Sequence, residues 1–157
     1  MRDPNFYSFR SFWELDAPAS AVYAALSEIG DYPKWWPEVK EVERLDDDHA
    51  AFRARAFLPY DLRFIGARTP GGEHERILEM TLTGDLEGFS RWRVEESGER
   101  SRALFEEEVV ANKELLRRTA RVARPLFKAN HALMMWRGRR GFETYLAGFL
   151  LGRGHAL

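Results

Sequence analysis

The stretch that decides the fold runs from Trp13 to Val39 and has the sequence WELDAPASAVYAALSEIGDYPKWWPEV. It opens on the end of an aromatic-rich strand, after which Asp16 is suited to cap a helix. Apolar residues recur at helical spacing through PASAVYAALSEI, and Gly30 ends that helix. Prolines on both sides of the Trp35 and Trp36 pair favour a short helical turn over a strand. The stretch therefore predicts one strand followed by two short helices.

Upstream, the strand extends back to residue 6. In FYSFRSFWEL, Tyr7, Phe9, Trp13 and Leu15 fall on one side of a period-2 pattern. The stretch 6–15 is therefore predicted to be the first strand, with an aromatic face turned toward the core.

Downstream, residues 38–112 contain a series of alternating runs. The runs are separated by DDD at 46–48, Pro59, PGG at 70–72, GD at 84–85 and SGE at 97–99. Such breaks are typical of hairpins. They predict six more strands, seven in all, and an antiparallel meander, because no intervening segment is long enough for a parallel crossover.

After Lys113 the apolar period changes from two to three or four. The pattern predicts a long helix over 115–148, interrupted or kinked at Pro125. We expect residues 1–150 to form a single domain and 151–157 to form a frayed tail. A twisted sheet cannot lie flat on one helix, so the sheet must wrap it and enclose a cavity, filled by side chains or by a ligand.

Composition argues against several classes of protein. The chain has 24 basic and 25 acidic residues, so no basic excess suggests a nucleic-acid partner. It has no cysteine, which excludes disulfides and thiolate metal sites and favours a cytoplasmic location. No export signal or stretch suited to stable membrane insertion is apparent. Histidine spacing predicts no metal site, and without a phosphate-binding or dinucleotide motif we expect no cofactor.

Three blocks of sequence resemble the START-like superfamily (SRPBCC), which includes polyketide cyclases, dehydrases and lipid-transport proteins. They are Trp13–Val39, GDLEGFSRWRVEE at Gly84–Glu96 and GRRGFETYLAG at Gly138–Gly148. The resemblance implies an α+β helix-grip fold, in which a seven-stranded curved antiparallel sheet wraps around a long C-terminal helix and two short helices follow the first strand. It also implies that ligands lie in a cavity between the sheet and that helix.

One position departs from the pattern of this superfamily, whose last strand usually turns apolar or aromatic residues inward. Alternation through ALFEEEVV places Glu107 on the same face as Ala103, Phe105 and Val109. A carboxyl group is therefore predicted to face the cavity. A register slip of one residue would instead turn Glu106 and Glu108 inward.

Projection of the final helix at 100° per residue gives an inward sector that contains Phe127, Asn130, Met134 and Arg137. Arg137 is a candidate partner for Glu107 and for a polar ligand group. The alternative is that Arg137 points out at the helix edge and that Glu107 has a structural partner. His131 lies one step off the sector: it is either an ordinary hydrogen-bonded residue or, with Glu107, a candidate for acid-base catalysis.

The remaining candidates for ligand contact are aromatic or small. Trp36 belongs to the turn expected to cover one end of the cavity, and Trp92 shares a face with Leu86, Ser90 and Val94. Phe52, Ala54 and Ala56 alternate along one strand, where the alanines would leave space. Phe105 completes the predicted lining. The opposite face of the helix carries Arg117, Arg121, Arg124 and Lys128, expected to face solvent.

Three hypotheses for function follow. The first is a protein that binds or carries a hydrophobic small molecule, such as a lipid, an aromatic compound or a polyketide-like metabolite. The second is a cyclase or dehydratase that uses one acid-base pair and neither a metal nor a nucleotide cofactor. The third is a protein-interaction module that uses the basic helix face or an exposed edge of the sheet. The sequence does not decide the ligand or the oligomeric state.

Overall fold

The structure is a computed structural model that describes residues 5–55, 61–112 and 114–155, without the side chains of 115, 116, 119–123 and 153–155. The strands are β1 Phe6–Leu15, β2 Val39–Arg44, β3 His49–Ala54, β4 Leu62–Arg68, β5 Ile77–Gly84, β6 Leu86–Ser97 and β7 Arg100–Ala111. The helices are α1 Ala19–Ser27, α2 Tyr32–Trp35 and α3 Glu114–His155, with a 3₁₀ turn at Ile29–Asp31.

The seven strands form one antiparallel sheet in the order β1-β7-β6-β5-β4-β3-β2. β7 pairs with β1, the first strand of the chain, and thereby brings Phe9 beside Glu107. The seven-stranded antiparallel sheet, the two short helices after β1 and the long C-terminal helix are confirmed. The predicted breaks at 46–48 and 70–72 fall between strands, and those at 84–85 and 97–99 begin on the last residues of β5 and β6. Pro59 and Ala56 lie outside the described residues.

The predicted limits of the first helix are wrong at both ends. Pro18, in an extended conformation, occupies the N-cap position, and no side chain caps the helix. Asp16 is almost fully exposed and lies near Arg100 instead. The helix ends at Ser27, since Glu28 leaves the helical region and Gly30 belongs to the separate 3₁₀ turn. The fixed backbone angle of proline starts this helix without a polar cap.

The turn around α2 attaches to α3 through close backbone packing. A Cβ atom at Gly138 would lie 2.8 Å from Nε1 of Trp36, and one at Gly141 would collide with the carbonyl oxygen of Trp35. The Trp36 indole N–H also donates a hydrogen bond to the carbonyl of Met134, at 3.0 Å. Only residues without a side chain allow this approach, so the two glycines fix the position of α3 against α2.

Polar contacts reinforce the same junction. The hydroxyl of Tyr145 in α3 donates to the Asp31 carboxylate at 2.7 Å. The guanidinium of Arg137 lies 3.1 Å from the carboxylate of Glu38, whose side chain is buried. These contacts hold the C-terminal half of α3 to the segment between β1 and β2.

α3 differs from its predicted limits. It is continuous through Pro125, so the predicted interruption there is wrong, and it runs past residue 148 to His155. Its last residues, 151–155, lie beyond the predicted helix end at residue 148. Extending an existing helix adds one hydrogen bond for each residue fixed. A glycine such as Gly152 lowers helix stability by only about 1 kcal/mol relative to alanine, which is too little to end the helix. No described helix is long and apolar enough to cross a lipid bilayer.

The predicted basic face of α3 is only partly exposed to solvent. Arg117 and Lys128 are exposed, whereas the Arg121 side chain lies outside the described set. Arg124 is half-buried, with its guanidinium 4.7 Å from the centre of the Tyr7 ring. A guanidinium is attracted to the face of an aromatic ring. Arg124 therefore packs over Tyr7 and is only partly exposed to water.

Aromatic side chains fill the space between the sheet and the C-terminal half of α3. The Trp13 ring lies 4.9 Å from Trp92 and 5.9 Å from Phe142, and Phe142 is fully buried. Trp36 lies 6.4 Å from Trp92 on the side toward the N-terminal half of the helix. Large aromatic rings therefore make up the core at this end.

The glycine contacts lead to a stability prediction. Gly141→Ala is expected to lower the free energy of unfolding by about 3 kcal/mol, because the new methyl group meets the Trp35 backbone and α3 must shift. Gly148→Ala, in the same helix with open space around its Cβ position, is the matched control and should raise stability by about 1 kcal/mol. Urea denaturation of both variants tests the prediction. Equal effects would contradict the close packing of α3 on α2.

Candidate functional site

The site is built around Glu107, near the middle of β7. Cross-strand pairing puts Phe9 of β1 on one side of Glu107 and Ser90 of β6 on the other. Ala103, Phe105 and Val109 of β7 are buried, and the Glu107 side chain on the same face is 15% exposed. The register is therefore the one predicted from alternation, and the slipped register with Glu106 and Glu108 inward is excluded.

His131 of α3 faces this carboxyl group. Its ring stacks on Phe9 with centroids 3.7 Å apart and planes within 5°, and it lies 6.2 Å from the Phe105 ring. Nε2 of His131 is 3.7 Å from Oε1 of Glu107. Nε2 is buried and has no hydrogen-bond partner among the described residues. The stacked phenyl ring thus fixes the imidazole with one nitrogen directed toward the carboxyl group.

Burial shifts the titration of both groups. It raises the pKa of Glu107 to about 7 and lowers the pKa of His131 to about 4, since an apolar surrounding disfavours the charged form of each. Near neutral pH the imidazole is therefore uncharged and the carboxyl group is close to half protonated. The two residues form a buried polar pair and not a strong ion pair.

The pair borders a cavity of about 180 Å³ between the sheet and α3. Strands β1 to β7 and the α2 turn all contribute to its wall, and most of the contributing side chains are aromatic or aliphatic. Ser90, Glu107, Asn130 and His131 supply polar groups, and Tyr7 and Tyr32 supply phenol rings. The cavity is thus mainly apolar, with polar side chains from two neighbouring strands and one face of α3.

Of the eleven residues predicted to contact a ligand, ten line this cavity. They are Trp36, Phe52, Ala54, Trp92, Phe105, Glu107, Phe127, Asn130, His131 and Met134. Alternation along the strands identified those from the sheet, helical projection identified Phe127, Asn130 and Met134 of α3, and the proline-flanked turn identified Trp36. His131, which the projection placed just outside the inward sector, is buried at the cavity wall.

The placement of Arg137 is a correction. The side chain is 48% exposed and pairs with Glu38, and it is absent from the described cavity wall. At this point along α3 the face toward the sheet meets the start of β2. Arg137 therefore lies at the helix edge, as the alternative prediction had it. The residue that faces Glu107 from α3 is His131.

Several wall residues were absent from the predicted set. The most important are Phe9, which stacks on His131, and Ser90, which is paired with Glu107 across the sheet. Both lie on strand faces that the period-2 pattern had assigned to the inside, so the sequence pattern could have identified them. Leu62, Phe64, Met80 and Leu82 come from β4 and β5, where no polar residue drew attention to the inward face.

The curved sheet, the long helix held against it and the cavity between them define a helix-grip protein. The family model "Polyketide cyclase / dehydrase and lipid transport" matches residues 15–129, and the chain belongs to this family. No curated protein sequence matches the chain significantly.

Solved structures share the fold at low sequence identity. The aromatase/cyclase Zhui from a Streptomyces species aligns with a TM-score of 0.76 and 13% identity, over 90% of this chain and 94% of its own. A START superfamily protein from Mycobacterium smegmatis aligns with a TM-score of 0.71 and 17% identity, over 90% and 97%. Ginseng major latex-like protein 151 from Panax ginseng gives 0.68 and 7%, over 90% and 97%. At these identities the comparisons show a common fold.

The raised pKa of Glu107 predicts a pH-dependent effect of Glu107→Gln on stability. The folded state holds the carboxyl proton more tightly than the unfolded state. The contribution of Glu107 to the free energy of unfolding is therefore complete below about pH 4.5 and falls as pH rises toward 7. Glutamine does not ionise. The variant should therefore gain stability relative to the original protein across this window, by at most about 3 kcal/mol at about pH 8.

Glu106→Gln is the control for this measurement, because Glu106 lies on the opposite face of β7, 3.9 Å from Arg91. Urea denaturation at several pH values compares the two variants with the original chain. A stability difference for Glu107→Gln that stays constant from about pH 4 to 8 would show that the carboxyl group titrates normally.

Proposed function

We propose that the protein binds one small, mainly apolar molecule in the cavity between the sheet and α3. The observation that supports this most strongly is the cavity itself, which side chains leave open in the part of the fold opposite the packed Trp13 cluster. Interiors are normally packed to the density of organic crystals, so a cavity of about 180 Å³ has a cost in stability that a bound molecule would offset.

The energetics favour such binding. Each Å² of apolar ligand surface that leaves water contributes roughly 25 cal/mol, and the aromatic walls surround a ligand on several sides. The polar groups at Glu107 and His131 would then fix which end of the ligand points toward the helix. Membership of a family described by polyketide chemistry and lipid transport supports a hydrophobic ligand of this kind.

Filling the cavity should abolish binding. Ala54→Phe places a ring in the space that Ala54 borders, whereas Ala51→Phe adds the same ring on the outer face of β3. We expect the first variant to lose at least about tenfold in affinity and the second to keep it, since only the first competes for the ligand volume. Native mass spectrometry of protein from its own host, with extraction of any small molecule that dissociates, measures occupancy.

The same experiment can overturn the proposal. If the original protein carries no small molecule and takes up no hydrophobic probe, or if both phenylalanine variants retain binding, the cavity is not a ligand site. Retained binding in both would direct attention to another surface.

A second function, acid-base catalysis on a carbonyl compound, is favoured by the Glu107 and His131 pair. In a β-hydroxy ketone the neutral imidazole would take the proton next to the carbonyl, and the protonated Glu107 would give its proton to the departing hydroxyl. The products are an unsaturated ketone and water, and proton exchange between the two residues restores the pair. Both groups lie in one small cavity, 3.7 Å apart, which suits such a concerted role.

This mechanism predicts a bell-shaped pH profile for kcat/KM. Activity should rise as His131 loses its proton at about pH 4 and fall as Glu107 loses its proton at about pH 7. Spectroscopic detection of the unsaturated ketone provides the assay. Glu107→Gln should abolish turnover but leave substrate binding within a few-fold, and Glu106→Gln should change neither. Unchanged turnover in Glu107→Gln would exclude this mechanism.

A further inference from the structure

We infer that the ligand carries a hydroxyl group, held between the carboxyl of Glu107 and the imidazole of His131, on a single substituted ring. This inference rests on the proposed ligand-binding function and specifies its ligand class. It is carried by the distance between the two side chains, the unpartnered nitrogen of His131 and the size of the cavity.

The distance between the pair suits one bridging oxygen atom. Oε1 of Glu107 and Nε2 of His131 are 3.7 Å apart, beyond the usual hydrogen-bond range of about 2.7–3.2 Å. An oxygen beside the line that joins them can lie within hydrogen-bond distance of both. A buried nitrogen without a partner is costly, so a ligand atom at this point satisfies a group that the described protein residues leave unsatisfied.

A hydroxyl matches this position in both arrangements in which one group of the pair donates and the other accepts. It can accept a hydrogen bond from a protonated Glu107 and donate one to Nε2, or donate to an ionised Glu107 and accept from an Nε2–H. A ketone oxygen only accepts, and so leaves one of the two groups unsatisfied in each of these arrangements. A carboxylate brings a negative charge into an apolar cavity beside an acidic residue, at a cost in desolvation and repulsion.

The surroundings of the pair indicate a ring beside the hydroxyl. Phe9 and Phe105 lie next to His131, and Trp92 lies 4.8 Å from Phe105, so flat apolar surfaces surround the polar point. An engineered cavity of about 150 Å³ in another protein holds one benzene molecule. A cavity of about 180 Å³ is thus of the right size for one ring with small substituents, such as an alkylphenol.

Three probes built on toluene test the inference: toluene itself, 4-methylphenol and 4-methylbenzoate, each titrated into the full chain by calorimetry. We expect 4-methylphenol to bind about tenfold more tightly than toluene, since hydrogen bonds to an otherwise unpaired buried group contribute on that scale. The benzoate should bind most weakly. Equal affinities for the phenol and toluene, or tightest binding of the benzoate, would overturn the inference.

Two variants assign the effect to the pair. His131→Phe keeps a ring against Phe9 but removes Nε2, and Glu107→Leu removes the carboxyl group. Each should remove the preference for 4-methylphenol while toluene still binds, and Glu106→Gln should preserve the preference. A preference that survives in a folded His131→Phe protein would contradict the bridging position, and if that variant fails to fold, the three-probe comparison in the original chain still decides.

The outcomes also separate this inference from the proposed function. If toluene binds but the phenol shows no advantage, the cavity is a ligand site and only the hydroxyl assignment is wrong. If none of the three probes nor any hydrophobic compound extracted from the host binds, the ligand-binding function itself fails.

Discussion

The backbone contact between α2 and α3 determines where the cavity lies. The Trp35 carbonyl occupies the space that a side chain at position 141 would need, and the Trp36 indole packs on Gly138 and donates to the carbonyl of Met134. α3 can come this close only because both positions are glycine. Once its C-terminal half is fixed, the direction of the helix carries its N-terminal half across the inner face of the sheet. The position of His131 opposite Glu107 follows from a contact made two to three turns away.

The aromatic cluster around Trp13 explains why the described cavity lies beneath the N-terminal half of α3. Large rings from β1, β6, α2 and α3 fill the space beneath the C-terminal half of α3, where Phe142 is fully buried. Beyond Trp36 and Trp92 the sheet contributes smaller side chains such as Ala54, Ala111 and Ser90. The packed half supplies stability through buried apolar area, and the other half can therefore leave a cavity.

Features with a short period were predictable from the sequence. The seven strands, the inward register of Glu107 and eight of the ten cavity residues follow from a period of two along strands and of 3.6 along the helix. Arg137 was misplaced because helical projection assumes one inward direction. A helix of 42 residues that crosses a curved sheet meets different neighbours along its length. At Arg137 that neighbour is the buried Glu38, which comes from distant sequence and gave no local signal.

The proposed ligand would account for the Glu107 and His131 pair, which packing alone does not favour. Packing alone would be served better by a leucine in place of either residue, since burial shifts both groups toward their neutral forms and leaves Nε2 without a described partner. A ligand that hydrogen-bonds to the pair recovers part of that cost on binding. The pair would then also favour one ligand over another. A molecule without a matching polar group would leave Glu107 and His131 buried without a hydrogen-bond partner and would bind more weakly. Any such ligand stabilises the folded state according to its concentration relative to Kd. Under the proposed function, ligand recognition and the stability of this half of the fold are coupled through the same two side chains.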